Sequence, residues 1–299
     1  MEIGDWKSVA GMADTYREAR RLGIETNIAE LEAFGFTIIP PEKTGAPKDF
    51  AKKLYDKLLE MARREDELSV ELNKHSDAEK PAYGRQFFHL LERDPLFIDA
   101  VMNPAVRAMG AYMMGQSYRM FSMVAFYKDG PARSTHMHCD CVGVPSPLPT
   151  YSTVCNVSWI LTPYREETGT LGMVPGSHRL CRHPTQFEQP KFIGGGMDDD
   201  MVTPIIAEPG SLVVFTGNTW HCTYPKTSEG VRAHIATAFC RNFIAPAEDY
   251  SDVPDEVLAH GGPELTRLVG RKAWQGYGVE GPKLENMALV RAAYQTQYG

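Results

Sequence analysis

The sequence predicts a mainly β protein, a sandwich or barrel of short strands flanked by helices at both ends. Three observations carry this expectation. From Tyr118 to about Phe243, short apolar runs alternate with turn residues such as Lys128-Asp129-Gly130-Pro131 and Pro209-Gly210. Before Tyr118, and again after Ala245, apolar residues recur at helical spacing instead. No internal repeat or low-complexity segment divides the 299 residues, so we expect one domain over 1–299 with its β core at about 115–245.

The elements follow in order. Met12 to Glu32 reads as a helix, and Gly35 to Pro40 as a short strand stopped by Pro40-Pro41. Pro47 to Leu68 is helical, with Phe50, Leu54, Leu58, Leu59 and Met61 as a core-facing stripe. Asn73 to Tyr83 is polar and reads as a loop. Pro95 to Met114 carries two helical segments split near Asn103-Pro104. Strands are expected at Tyr118–Tyr127, Thr153–Leu161, Val202–Glu208, Ser211–Phe215 and Arg232–Asn242. Two insertions interrupt them. Val142–Tyr151 is apolar and carries Pro145, Pro147 and Pro149; His183–Asp200 holds Gly194-Gly195-Gly196 and Asp198-Asp199-Asp200. Each reads either as an active-site lid or as a plain surface loop. Pro263–Trp274 and Leu284–Tyr294 return to helix. The terminal helices either pack on the core or form a homodimer contact; one sequence does not choose.

Composition narrows the function. A hydrophobic content of 43% with 23% charged residues is ordinary for a globular enzyme. No apolar run approaches the length of a membrane span. Met1-Glu2-Ile3-Gly4-Asp5 lacks the basic start and apolar core of a signal peptide. The net charge of −7 argues against nucleic acid as a partner. Six cysteines, with no CxxC pair, read as reduced thiols of a cytoplasmic protein.

The chemistry centres on Ser134-Thr135-His136-Met137-His138-Cys139-Asp140. On a strand, His138 and Asp140 leave the same face, about 6–7 Å apart at Cα, and Cys139 leaves the other. Trp220-His221-Cys222 offers a third ligand. Two histidines and a carboxylate, with positions left open, are what non-haem Fe(II) oxygenases use. His136 shares the ligand face and reads as a neighbour of the metal or as substrate-facing. A zinc site from His138, Cys139, Cys141 and Cys222 is disfavoured, because neighbours on opposite strand faces would have to converge.

Together these residues resemble the phytanoyl-CoA dioxygenase family. The resemblance rests on His138-Cys139-Asp140, on Gly169-Thr170-Leu171-Gly172-Met173-Val174-Pro175-Gly176-Ser177-His178, on His221, and on Ser228 with Arg232. The entry Leu31-Glu32-Ala33-Phe34-Gly35-Phe36-Thr37-Ile38 is also similar to the family's first helix and strand. The likeness runs from Leu31 to Phe243. It implies a double-stranded β-helix (jelly roll, cupin-like) core and an oxygenase that uses Fe(II), 2-oxoglutarate and O2. It assigns His138, Asp140 and His221 to the metal and Arg232 to the far carboxylate of 2-oxoglutarate. Arg232 lies eleven residues after His221, and its planar fork suits a carboxylate. Thr170 and Thr135 are expected to donate to the co-substrate, and Asn156 and Ser158 to join the polar lining. For these four, ordinary strand polarity is the competing reading. His178 is expected to be structural, and Arg85 is a further cation that could approach from the helical layer.

The chain departs from the pattern in two places. Thr168 stands where many members carry Asn, and Cys139, Cys141 and Cys222 crowd the metal motif. Asp140 argues against halogenation, which needs that position without a carboxylate. The expected reaction is oxidation, most simply hydroxylation, of a C–H bond in a small metabolite, releasing succinate and CO2. Desaturation, rearrangement or endoperoxide formation would follow from the same site. The Pro-rich apolar loop favours a hydrophobic substrate, and no basic cluster suits a CoA phosphate. Trp159, Phe121, Met123 and Phe126 are expected in the core, one or two of them lining the pocket. The competing function is a cupin-like metal-dependent isomerase or binding protein that does not use 2-oxoglutarate.

Overall fold

The computed structural model describes residues 10–69, 84–141, 143–193, 196–270, 277–279 and 281–282. It opens with α1 (Ala10–Leu22) and α2 (Glu25–Phe34). The single helix expected over Met12–Glu32 is therefore two, broken at Gly23, whose φ is 68°. Gly35 caps α2 at φ 87°, its N–H donating to the Leu31 carbonyl. A Cβ there would meet Thr219 Oγ1 and the His178 ring within 3 Å, so glycine is what lets the chain turn into β1 (Phe36–Ile39). His178 thus has the structural place expected of it, packed behind that turn.

α3 (Phe50–Ser69) buries Phe50, Leu54, Leu58 and Met61 as its periodicity predicts. β2 (Arg85–Phe87) and α4 (Leu90–Arg93) lead to α5 (Pro95–Met102) and α6 (Pro104–Met114). Asp94 accepts from the Leu96 N–H and Asn103 from the Ala105 and Val106 N–H groups, each just before a helix-starting proline. The split expected near Asn103-Pro104 is this pair of caps.

The strands are β3 (Arg119–Asp129), β4 (Val154–Ile160), β5 (Leu171–Met173), β6 (Phe192–Ile193), β7 (Gly196–Met197), β8 (Thr203–Pro204), β9 (Leu212–Thr216), β10 (His221–Thr223) and β11 (Val231–Cys240). Val202–Glu208 is less of a strand than expected: only β8 and a bridge from Ala207 to Tyr164 pair. Pro204 cannot donate to a ladder. α7 (Asp255–Leu268) starts earlier than Pro263 and is kinked there, with Gly262 at φ 67°. A short hairpin, β12 (Tyr277–Gly278) and β13 (Gly281–Pro282), ends the described chain. The loop expected at Asn73–Tyr83, the end of the Pro263–Trp274 helix beyond 270 and the helix at Leu284–Tyr294 lie outside the described residues.

Two antiparallel sheets form the jelly roll expected. The larger runs β1-β9-β4-β11-β3-β2 and the smaller β10-β5-β8. Val213 and Phe215 of the first pack with Leu171 and Met173 of the second. The large sheet divides its side chains by alternation, interrupted in β3 by a bulge opposite Ala238 and Phe239. Met123, Ala125, Cys155, Val157, Trp159, Ala233 and Ile235 face the helices and join one core with α3, α5 and α6. The intervening residues of β3, β4 and β11 face the space between the sheets and line a cavity of about 190 Å³. No described helix is long and apolar enough to cross a membrane.

Candidate metal and co-substrate site

The two histidines of the site are neighbours across a bridge. The His138 N–H donates to the His221 carbonyl at 2.9 Å, and the His221 N–H returns to His138 at 2.8 Å. The segment before Asp140 is extended rather than a continuous strand, held by this bridge and by one between Ala132 and Lys226. Two residues on, the Asp140 N–H donates to the Gly217 carbonyl at 2.8 Å. Ligand-capable atoms of His138, Asp140 and His221 all lie within 4.8 Å of one another. Asp140 Oδ1 is 3.7 Å from His138 Nε2 and 3.6 Å from His221 Nε2.

Both imidazoles are oriented by backbone. His138 Nδ1 lies 2.8 Å from the His136 carbonyl and His221 Nδ1 lies 3.0 Å from that of Thr219. Each Nδ1 therefore carries its proton toward a carbonyl, and each Nε2 keeps its lone pair for a metal. Burial pushes the His221 imidazole down to about 4 although Asp140 pulls it up, so it is neutral near pH 7, as ligation requires. His136 acts here through its carbonyl, while its side chain is exposed. Cys139 does point away, its Sγ 3.1 Å from His183 Nδ1. Cys141 turns to Asn218. The Cys139 and Cys141 thiols thus meet each other and their own partners, and among the described residues the metal-capable cluster is His138, Asp140 and His221 alone.

The cavity leads from the triad down to a cationic end. Arg232 is 1% exposed, and its guanidinium donates to the Tyr164 hydroxyl at 2.6 Å and lies 4.5 Å over that ring. Lys128 and His234 line the same end. Burial, then Arg232 and Lys226, pushes the Lys128 ammonium down to about 7. Burial, then Arg232 and Lys128, pushes His234 well below its usual range. Lys128 Nζ, Arg232 Nε and His234 Nδ1 are all buried without a hydrogen-bond partner among the described residues. Buried donors in this state call for an anionic ligand.

The other expected contacts divide. Thr135 lines the cavity and exchanges hydrogen bonds with Thr223, each N–H donating to the other's hydroxyl at 2.9 Å. Ser158 and Phe126 also line it, whereas Trp159 and Met123 face the helices. Phe121 packs against Val154, Ala238 and Cys240. Asn156 lines the cavity too, but its amide donates to Asp140 Oδ2, so it orients the carboxylate of the cluster. Thr170 corrects the expectation. Gly169, at φ 74° against the Lys226 backbone, turns the chain so that the buried Thr170 hydroxyl donates to the Ile205 carbonyl, away from the cavity. Arg85 reaches toward the Ala62 carbonyl and does not line the cavity.

Neither insertion is a free flap at its base. Leu148 is buried behind the metal strand, where the Asn218 amide donates to Pro149. Gln189 exchanges hydrogen bonds with both the N–H and the carbonyl of Met137. Sequence reasoning missed Lys128, Tyr164 and His234. Lys128 stood in a turn signal, and period two from Arg232 would have found His234.

A jelly roll with two imidazoles and a carboxylate on one face, beside a buried cationic pocket, defines a non-haem metal oxygenase. The family model for phytanoyl-CoA dioxygenase matches residues 32–234, and the chain belongs to that dioxygenase family. Among curated relatives, the dioxygenase af480 of Aspergillus fumigatus is 26% identical over 265 residues, 87% of this chain and 81% of that protein. The dioxygenase cdmD of Talaromyces verruculosus is 30% identical over 111 residues, covering 37% of this chain and 33% of its own. In fold, the chain is similar to HygX from Streptomyces hygroscopicus, solved with nickel and 2-oxoglutarate. The TM-score is 0.57 at 13% identity, over 78% of this chain and 93% of HygX. SnoN, an α-ketoglutarate-dependent epimerase from nogalamycin biosynthesis, gives a TM-score of 0.51 at 17% identity, over 73% and 82%.

Proposed function

We propose that this enzyme oxidises, most simply hydroxylates, a C–H bond of a small hydrophobic metabolite, with Fe(II), 2-oxoglutarate and O2. One oxygen atom enters the substrate and the other enters succinate, while the C1 carboxylate of 2-oxoglutarate leaves as CO2. The observation that carries the reading is the continuity of the cavity, with the His138, Asp140 and His221 cluster at one end and, at the other, Lys128 and Arg232 with Nζ and Nε buried and unpartnered among the described residues. A dianionic 2-oxo acid has the matching ends.

When bound, the iron supplies the dioxygen chemistry and the oxidation. The chain supplies the geometry. His138, Asp140 and His221 would hold the metal on one face, with Asn156 fixing the carboxylate. Arg232 would take the distal carboxylate, positioned by Tyr164 and screened from water. The side chain of His138 is 35% exposed and that of His221 only 7%. The substrate therefore approaches from the His138 side, and a 190 Å³ cavity holds the co-substrate rather than both.

The test is anaerobic titration of Fe(II)-loaded protein with 2-oxoglutarate, followed by visible absorption. We expect a weak charge-transfer band that needs both components. In Arg232→Met the same band should require roughly ten- to hundredfold more 2-oxoglutarate, since a charge-assisted hydrogen-bond pair is lost. Metal binding with no band in the wild type would overturn the reading and favour a metal-dependent isomerase or binding protein.

A further inference from the structure

The pocket holds more positive charge than one guanidinium brings. Lys128 on β3 stands directly opposite Arg232 on β11 in the strand register. Like charges placed across a strand pair repel one another, and these two are 3% and 1% exposed. Neither has a carboxylate partner among the described residues. The stem of Lys128 is fixed as well: a Cβ on Gly84 would meet its Cγ at 2.7 Å, so the backbone closes over it. Behind it, Lys226 commits its own ammonium to Ser228. Beside it, His234 stacks flat on Phe126, ring centroids 4.6 Å apart, with Nδ1 unpartnered. Buried like charges with unpartnered donors, arranged in this way, are complementary to an anion.

We propose that Lys128 is a second cation for the distal carboxylate of the co-substrate, closing on it together with Arg232, and that the pair sets the preference for a dicarboxylic 2-oxo acid. This rests on the reading that 2-oxoglutarate occupies the cavity. It has a consequence for pH. The groups facing Lys128 are Arg232 and Lys226, both cationic, with His234 neutral and Tyr164 protonated beyond Arg232; among the described residues no acid faces it. Without ligand its ammonium titrates at about 7. An adjacent carboxylate raises that value, so above pH 7 binding takes up a proton and affinity falls as pH rises.

The experiment is anaerobic calorimetry on the full Fe(II)-loaded chain with two probes. These are 2-oxoglutarate and 2-oxovalerate, which has the same chelating head and no distal carboxylate. The wild type should prefer 2-oxoglutarate by about a hundredfold or more. Lys128→Met should cut that preference by about tenfold or more and leave 2-oxovalerate within about twofold. Lys128→Arg should retain the preference. At pH 8, in buffers of different ionisation heat, only the wild type should take up a proton with 2-oxoglutarate. Because the methionine removes an unpartnered buried charge, that variant should melt no lower than the ligand-free wild type. Normal 2-oxoglutarate binding with an unchanged Lys128→Met preference, or undiminished proton uptake in that variant, would overturn the Lys128 assignment alone. A wild type that binds both probes equally would overturn the co-substrate reading and this assignment together.

Discussion

At the scale of single residues, the candidate metal site is shaped by groups outside the His138, Asp140 and His221 cluster. The carbonyls of His136 and Thr219 set the imidazole tautomers, and Asn156 holds one oxygen of Asp140 so that the other faces both rings. Removing such a support costs affinity without removing a ligand. Asn156→Ala should weaken Fe(II) binding by about 10- to 100-fold, read as the dissociation constant under anaerobic conditions, with the fold unchanged by circular dichroism. An unchanged constant would show that Asp140 needs no such partner. The cluster of His138, Asp140 and His221 was legible in the sequence, since the two-residue spacing of His138 and Asp140 is itself a statement of geometry. The supports were not. Asn156 was visible as a polar residue on an inward strand face, but which polar atom it meets depends on how a loop from another part of the chain is laid across it. Thr170 shows the converse: its place beside Gly169 suggested a ligand contact, and a buried backbone carbonyl at Ile205 takes its hydroxyl instead.

At the scale of elements, the boundaries the sequence marked most clearly were those with a chemical reason to be sharp. Asn103 accepts from two backbone N–H groups at the start of α6 and is itself buried. Asn103→Ala should cost about 1–2 kcal/mol in urea denaturation, since those amides lose their acceptor away from water. A cost under about 0.5 kcal/mol would mean that the helix start is satisfied some other way. The break at Gly23 and the early start of α7 were less legible, because helical spacing continues through both and only the backbone conformation at Gly23 and Gly262 changes. Val202–Glu208 read as a strand from its apolar content, yet those residues earn burial from Tyr224, Leu171 and Tyr164 with little ladder pairing.

At the scale of the whole molecule, the jelly roll was legible from short strands and from the family resemblance, while the depth of its charged pocket was not. Alternation predicts which side of a strand a residue takes, but only the pairing of β3 with β11 sets Lys128 opposite Arg232, and only the packing of the sheets buries both. That burial has a thermodynamic signature. An unfolded lysine titrates near 10.4, and in the ligand-free fold Lys128 does so at about 7. Below pH 7 both states carry the charge and the buried one destabilises the fold. Between about pH 7 and 10 the unfolded chain holds more protons, so this residue's penalty disappears as pH rises. In urea melts of ligand-free protein, Lys128→Met should be the more stable at pH 6.5, and its advantage should shrink toward pH 9. A constant difference across that range would show that Lys128 reaches solvent.

The alternation in the middle of the large sheet also separates two kinds of change. One face of β3, β4 and β11 is the wall against which the helices condense; the middle of the other face lines the cavity. Exchanges at Ser158 and Ala236 should therefore reshape the co-substrate space, while Met123, Trp159 and Ile235 on the helix-facing side go on holding the molecule together. Such a sheet can diversify in chemistry without putting its own architecture at stake.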